Sequence, residues 1–489
     1  MVEELRKQMS QYKDQMPEEA WNIFMALCEV TEHLDKSHKA LWSRIKELED
    51  RLSKDSQNSS KPPSSDSPFK ERLKARRKKG MRKPGGQKGH EGNTLKMVSV
   101  ADKTEVHKLD NCPECGESLN DIPALGYDRR QVFDIPPIQM EVTEHRSEIK
   151  HCCGCHKEVA GEFPAHVSGS VQYGPNLKTL LTYWQNYQML PYARTVEMVQ
   201  DLTGHKLSAG TLFNTQTKVY DTLEDFEARL IQLLCNEELA HFDETGAKMI
   251  RSLAWIHLCT TQTHAHFAVH SKRGTEAMND IGILPNFEGT AVHDFWKSYF
   301  EYALNHAMCN AHLLRELEFI FECYDQDWAQ KMGALLRSIK KAVDRAKEKN
   351  QSELPKNVRS RFQNQYDKLL EEGFAINPNP PPTGKKGRPK KPKPLNLLER
   401  FQDWENAILR FMYEFEVPFD NNLAERNLRM LKVKLKISGC FRSLKGAQYF
   451  MRIRSFIVTA RMQGLTAFQA LKELFVNPLD IQDRLILCQ

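Results

Sequence analysis

Hydrophobic positions recur at different periods along the chain, and the periods divide it. Near the N-terminus Trp21, Phe24, Leu27, Leu34, Leu41, Ile45, Leu48 and Leu52 are spaced as on one face of an amphipathic helix. The last four, at intervals of four, three and four, fit a short coiled-coil seam. No period survives through DSQNSSKPPSSDSP, a Ser/Pro linker, or RKPGGQKGHEG, which glycines break up. QVFDI and MEVTEHRSEI are β-like runs joined by Pro136-Pro137. Further on, Gly174-Pro175 starts a helix, Pro191 breaks the next and Thr203-Gly204 makes a turn. Residues 192–217 therefore read as helix, turn, helix with Ser208 capping the second.

From about residue 236 the pattern becomes strand-like. LAHFDETGAKM, RSLAWIHLCTT and HAHFAVHSKR are three strand candidates, residues 275–281 a short helix, and GTAVHDFWKSYF a fourth strand, which together suggest a mixed α/β sheet. Helical spacing returns in CNAHLLRELEFIFECY, WAQKMGALLRSIKKAVDRAKEK, SRFQNQYDKLLEEGF and LNLLERFQDWENAILRFMYEF, interrupted by the basic loop NPNPPPTGKKGRPKKPKP. Pro418 followed by Asp420, Asn421 and Asn422 signals another helix start. Leu428, Leu431 and Leu435 form its apolar face and Gly439 its stop. At about 100° per residue, Glu425, Arg429, Lys432 and Lys436 share a second face. Residues 450–461 and 465–475 close the chain as helices, with Arg442, Arg452 and Arg454 expected to extend the basic surface.

Size and charge sharpen this picture. The 489 residues exceed the roughly 250–300 at which a single core stops growing, so several domains are expected. Hydrophobic residues make up 40% and charged residues 27%, values of a soluble globular chain. No apolar run of about 18 residues predicts a membrane span. The polar N-terminus lacks the apolar core of a signal peptide, so a cytoplasmic, nucleoid-associated location is expected. Net charge is only +6, but cations cluster. Arg76, Arg77, Lys78, Lys79, Arg82 and Lys83 fall in one run, and Arg388 sits in Gly-Arg-Pro among lysines, a three-residue pattern that is either a plain basic loop, the commoner case, or a minor-groove hook. Such clusters point to a polyanion partner, most often nucleic acid.

Twelve cysteines in such a chain argue for thiols or metal ligands. Cys112 and Cys115 form one CxxC knuckle, Cys152 and Cys155 a second, and together they match the four-thiolate site of one structural Zn²⁺. Cys153 is a spare thiol, and His151 or His156 could replace a cysteine. Cys309 and His312 have CxxH spacing, read here as a helix start.

Asp243 sits where the alternation of the first strand ends, and Asp294 ends the fourth. Each alone could be a turn or cap residue, and Glu425 alone an i,i+4 partner of Arg429. Aspartate on a first strand, aspartate after a fourth and glutamate on a later helix is the order of a ribonuclease H-like fold with a three-carboxylate site. The sequence resembles the insertion-sequence-66 family of bacterial transposases. The resemblance rests on SSKPPSSD, RKPGGQKGH, CPECG with its partner cysteines, HFDET, HDFWKSY, CNAHLLREL and VPFDNNLAERNLRMLKVKLKISGCFRS, and covers nearly the whole chain.

That resemblance places the family's catalytic, metal-binding triad on Asp243, Asp294 and Glu425. It implies a DDE transposase that uses two Mg²⁺ or Mn²⁺ ions per site to cleave DNA and join 3′-hydroxyl ends to a target. Arg429, Lys432 and Lys436 would hold the DNA backbone. The expected architecture is a multidomain α+β chain. It has a helical or coiled-coil region at 1–55, a basic linker at 56–110, a zinc ribbon at 111–165 and a helical module at 170–235, either DNA-binding or a plain helical scaffold. A ribonuclease H-like α/β core occupies 236–305 and 417–489, split by a helical insertion at 306–416 whose basic loop spans 376–394. Expected partners are double-stranded DNA, both transposon ends and target, and further copies of the chain as a homodimer or higher oligomer. Accessory proteins of the same element are further candidates, and no membrane is expected. The rivals are a DNA-binding regulator or architectural protein without catalysis, and a stand-alone metal-dependent nuclease.

Neutralising Arg76, Arg77, Lys78 and Lys79 together should weaken binding to every DNA sequence alike. It should also lower the salt slope of log K by about 0.9 for each phosphate that is no longer neutralised. Binding titrations across salt and sequence read both effects. A changed sequence preference at constant slope would place these residues on bases instead.

Overall fold

The computed structural model describes residues 2–54, 58–59, 94–164, 167–302, 304–380 and 391–487. Arg76, Arg77, Lys78, Lys79, Arg82, Lys83 and Arg388 lie outside the described residues. Two compact units emerge: Met1–Ser67 with Glu162–Glu197 and Leu207–Gln489, and Pro68–Gly161 with Met198–Lys206.

In chain order, α1 (Val2–Met9) and α2 (Glu18–Ser53) open the first unit, and β1 (Ile149–His151) and β2 (Glu158–Ala160) belong to the second. Helices α3 (Pro175–Thr182), α4 (Tyr192–Thr203), α5 (Ala209–Thr222) and α6 (Glu224–Cys235) precede the main sheet. Its strands are β3 (Leu239–Lys248), β4 (Leu253–Thr260) and β5 (Ala265–His270), then, after α7 (Thr275–Ile281), β6 (Thr290–His293) and β7 (Asn305–Met308). The helices α8 (Asn310–Tyr324), α9 (Asp327–Glu348), α10 (Lys356–Ile376), α11 (Lys393–Asp403) and α12 (Glu405–Tyr413) follow. The chain ends with α13 (Asn422–Ser438), α14 (Leu444–Met462), α15 (Ala467–Val476) and α16 (Pro478–Leu487).

The main sheet runs in the order β5-β4-β3-β6-β7. β3, β4 and β5 pair antiparallel, whereas β6 lies parallel to β3 and β7 parallel to β6. Leu239 pairs with Thr290 and His241 with Val292. Asp243 lies four residues beyond Leu239, and Asp294 four beyond Thr290. This register therefore carries both aspartates to the same level of neighbouring strands, and the pleat sends both to the same face. Gly289 helps to set it: a Cβ there would lie 2.3 Å from the Glu237 carbonyl oxygen and 2.6 Å from that of Glu238.

Helices cover both faces. Ala240, Phe242, Cys259 and Ala291 pack with Phe226, Leu230 and Phe456 from α6 and α14. Ala247, Ile256, Leu258 and Phe267 pack with Ala424, Leu428 and Leu431 of α13 and Phe450 of α14. The helices between β7 and α13 form a third apolar cluster, with Trp328, Leu336, Tyr366 and Phe401 fully buried, which reaches the sheet through Val292, Ala307 and Met308.

Several expectations need correction. LNLLERFQDWENAILRFMYEF is two helices, broken at Trp404. QVFDI and most of MEVTEHRSEI form no ladder, and only Ile149 of these runs is in a strand. Strand propensity without a partner edge leaves them extended and exposed. Arg452 and Arg454 do not extend a basic surface. Both are buried, Arg452 pairing with Glu227 at 2.6 Å and stacking 3.6 Å over Tyr220, and Arg454 donating to the Asn186 carbonyl at 3.5 Å.

Gly289→Ala should destabilise the first unit by about 1–3 kcal/mol, because backbone rather than a flexible side chain must give way. Urea unfolding monitored by circular dichroism measures this. An unchanged midpoint would show that β6 can move along β3 at no cost.

Candidate active site

Asp243 and Asp294 reach one face of the sheet from β3 and from the end of β6, and α13 brings Glu425 to the same face. Asn421, just before α13, secures that approach. Its side-chain amide donates to the Phe242 carbonyl at 2.8 Å, its side-chain oxygen bonds His241 Nδ1 at 2.7 Å, and its backbone N–H donates to Cys309 Sγ at 3.2 Å. Glu425 follows one helical turn later, its N–H bonded to the Asn421 carbonyl at 3.1 Å.

The three acids sense one another. The Asp243 carboxyl is raised well above the usual carboxylate range, first by burial, then by the charges of Glu244 and Asp294, with Glu425 adding to them. Partial relief comes from the Glu244 N–H, 2.9 Å from Asp243 Oδ1. Asp294 is oriented by the Trp296 N–H at 2.9 Å. Glu244 itself points to the opposite face. There it accepts from Tyr299 at 2.6 Å and Arg273 at 2.5 Å, and the Arg273 guanidinium lies between Trp255 and Trp296.

Cys309 and His312 belong to this site, although their spacing was read as a helix start alone. α8 does begin at Asn310, yet His312 Nδ1 lies 3.8 Å from Glu425 Oε1. Among the described residues, Cys309, His312 and Glu425 form the one group of three or more metal-ligating side chains whose ligand atoms all lie within 4.8 Å of one another. Neither the three acids nor the four knuckle cysteines meet at that spacing. Burial pushes the Cys309 thiol up to about 12. In the sequence Asn421 showed only as part of a helix start, and no signal marked Glu244 or Arg273, because the roles of all three depend on partners on other elements.

Beyond Glu425 the exposed side of α13 carries Arg429, Lys432 and Lys436, joined by Arg426. None of these four has an ion-pair partner among the described residues. Lys434 is held elsewhere: burial brings its ammonium down to about 8, and it donates to the Met189 carbonyl at 3.5 Å. In the helix–turn–helix segment, Ser208 Oγ accepts from the Thr211 N–H at 3.0 Å as expected. Leu212, Thr215, Gln216 and Val219 of α5 are buried, while Asn214 and Lys218 remain exposed.

The second unit holds both knuckles. Gly116 N–H bonds the Cys112 carbonyl, and His156 N–H bonds the Cys152 carbonyl in the same way. Gly116 (φ 76°) and His156 (φ 51°) are both left-handed, so His156 occupies the turn position that Gly116 fills in the first knuckle. The Cys112 thiol is pulled below its ordinary value, first by the Cys115 and then by the Glu114 backbone, and Cys152 likewise by Cys155 and Gly154. No described residue from 94 to 164 is fully buried, so an apolar core does not hold this segment together.

A model of the IS66 transposase family matches residues 170–449, which include all three acids. The chain belongs to the IS66 transposase family. A model of the zinc-finger binding domain of IS66 transposases matches residues 110–156, spanning both knuckles. A third model, of a family of unknown function, matches residues 1–96. No curated protein matches the chain. The IS66 domain thus covers the sheet and α13, with a zinc finger ahead of it. No helix among the described residues is long and apolar enough to cross a membrane.

Linkage gives Asp243 a measurable signature. Its carboxyl is raised on folding, so between the unfolded and folded values the folded chain binds more protons. Stability must therefore fall as pH rises through that window. Asp243→Asn removes the buried charge and should stabilise the protein at neutral pH, in buffer without added divalent ions, by about 1–3 kcal/mol, with the gain shrinking toward acid pH. Thermal unfolding from pH 4 to 8 checks this, and a parallel offset at all pH values would contradict it.

Proposed function

We propose that this IS66-family chain is a DDE transposase, with Asp243, Asp294 and Glu425 as catalytic, metal-binding residues on a ribonuclease H-like core. The single observation that carries the reading is the convergence of the three acids on one sheet face, close enough for the charges of Asp294 and Glu425 to raise the Asp243 carboxyl. The strand order, three antiparallel strands with two parallel ones on the far side of β3, supports the ribonuclease H-like reading.

The donor chemistry fits two Mg²⁺ or Mn²⁺ ions, since carboxylates are hard oxygen ligands and buried Glu425 Oε1 has no hydrogen-bond partner. Such ions, when bound, activate the attacking oxygen and stabilise the leaving one. The chain's own residues set the geometry. Asn421 and the β3–β6 register hold the acids, and Glu425 lies on α13 directly before the cations that would grip phosphates. Arg429, Lys432 and Lys436, with Arg426, bind backbone oxygens of DNA without reading bases. Water would cut one P–O bond and leave a 3′-hydroxyl. That hydroxyl would then replace water against a target phosphodiester, exchanging one P–O bond for another.

Cys112, Cys115, Cys152 and Cys155 would hold one structural Zn²⁺. The N–H groups aimed at Cys112 and Cys152 favour thiolate, and a segment without a buried core needs such a staple. With no apolar core to fold around, the finger couples its folding to zinc binding. Transposon ends and target DNA are the proposed partners, together with a second copy of the chain. On α2, Leu27, Leu34, Leu41, Ile45, Leu48 and Leu52 are all exposed, and a heptad-spaced stripe is its own complement. Asp50 ties the end of α2 to Tyr324 at 2.7 Å and Lys393 at 2.6 Å.

Labelled transposon ends, Mg²⁺ or Mn²⁺ and a target plasmid test the reading. Joined product is expected. Cutting alone would favour a nuclease, and binding alone a regulator. Asp243→Asn, Asp294→Asn and Glu425→Gln should each abolish cleavage and joining while end binding persists, and a double variant should be no worse than a single one. Near-normal joining by Glu425→Gln would remove Glu425 from the site.

A further inference from the structure

Cys309 follows β7 and caps α8, His312 stands in the first turn of α8, and Glu425 in the first turn of α13. Their ligand atoms all lie within 4.8 Å of one another. His312 Nδ1 and Glu425 Oε1, 3.8 Å apart, are too distant to hydrogen-bond, and neither buried atom has a hydrogen-bond partner among the described residues. Buried polar atoms are ordinarily satisfied, so two orphans facing each other beside a sulphur mark a place where something binds. Cys309 Sγ is held in place by the Asn421 N–H.

Thiol sulphur, imidazole nitrogen and carboxylate oxygen form a mixed set that suits zinc-class ions and not Mg²⁺, which takes oxygen ligands. We propose that Cys309, His312 and Glu425 form a second binding site for a thiophilic divalent cation of the zinc class, sharing Glu425 with the carboxylate triad. Binding replaces the Cys309 thiol proton, which leaves to solvent, and satisfies both orphaned atoms. Three protein ligands leave one position of a tetrahedral shell open, so the ion is exchangeable where that of the finger is closed. A zinc-class ion here withdraws Glu425 from the triad. The site therefore makes metal-dependent cleavage sensitive to zinc, and this consequence rests on the proposed role of Glu425.

Zinc content tests the site without DNA or activity. The full chain, equilibrated with zinc and freed of loosely held ion by gel filtration, should carry two ions by elemental analysis, one in the finger and one here. Cys309→Ser, which keeps an acceptor for the Asn421 N–H, and His312→Gln should each lose one. Equal zinc contents in the wild type and both variants would overturn the proposal. If both variants fail to fold, cobalt(II) substitution decides it: Glu425→Gln must alter the visible spectrum of the bound cobalt, and an unchanged spectrum overturns the site. In the Mg²⁺-dependent cleavage assay, zinc should inhibit the wild-type chain, and added Mg²⁺ should restore the rate. Inhibition that Mg²⁺ cannot relieve overturns the sharing of Glu425. Cleavage by Glu425→Gln with a zinc content of two in the wild type would instead refute the triad and leave the site standing.

Discussion

The arrangement of the site depends on how Asn421 is held. Three groups of this one residue bond to two strand residues and to the cap of a helix, and its carbonyl then begins the turn that carries Glu425. Its partners His241, Phe242 and Cys309 are far away in sequence. His241 and Phe242 lie on the strand that carries Asp243, and Cys309 bonds the end of the strand before Asp294 through its N–H to the His293 carbonyl. Without such a clamp, α13 could still bury Leu428 and Leu431, because apolar packing is non-directional. It is the directional hydrogen bonds that choose one position for the helix and thus one position for the carboxylate.

The pleat of β3 gives two neighbouring acids different partners. Asp243 and Glu244 are adjacent acids, and alternation sends them to opposite faces. Glu244 finds a guanidinium and a phenol there, which offset part of what burial and the Asp294 charge impose on it. Among the described residues Asp243 has one backbone N–H as its hydrogen-bond donor, and burial and neighbouring carboxylates hold its carboxyl well above the usual range. Two neighbouring acids thus do different work, one structural and one open to ligand. His293 illustrates the same economy of satisfied groups. It is fully buried, bonded to His306 Nδ1 at 2.9 Å and stacked on Tyr299, and burial brings it down to about 3, so it remains a neutral brace behind Asp294.

The two units are stabilised by different physics. The first buries three apolar clusters and has the size to do so. In residues 94–164 exposed apolar side chains such as Leu125, Val132 and Val142 have nothing to pack against. Order there resides in two matched cysteine knuckles, and His156 tolerates a left-handed backbone to complete the second.

Much of this was legible in sequence. Helical periods located α2, α8 to α10 and α13, and alternation located β3 to β6, because both signals are local and repeat over many residues. The CxxC spacings and the helix face shared by Glu425, Arg429, Lys432 and Lys436 are equally local. The structure decided what depends on pairing at a distance. β7 was not read from the sequence, and it forms where β6 offers it a parallel edge. QVFDI had the propensity of a strand but no edge to join. Arg452 and Arg454 read as surface cations, yet Glu227, Tyr220 and Asn186 draw them inside. Cys309 and His312 looked like the start of a helix, and only the packing of α13 on the sheet brought Glu425 beside them. Sequence thus determined which residue types each element carries, and tertiary structure decided which of them meet, because register and helix docking are fixed by contacts between residues distant in the chain, such as Leu239 with Thr290 and Phe242 with Asn421.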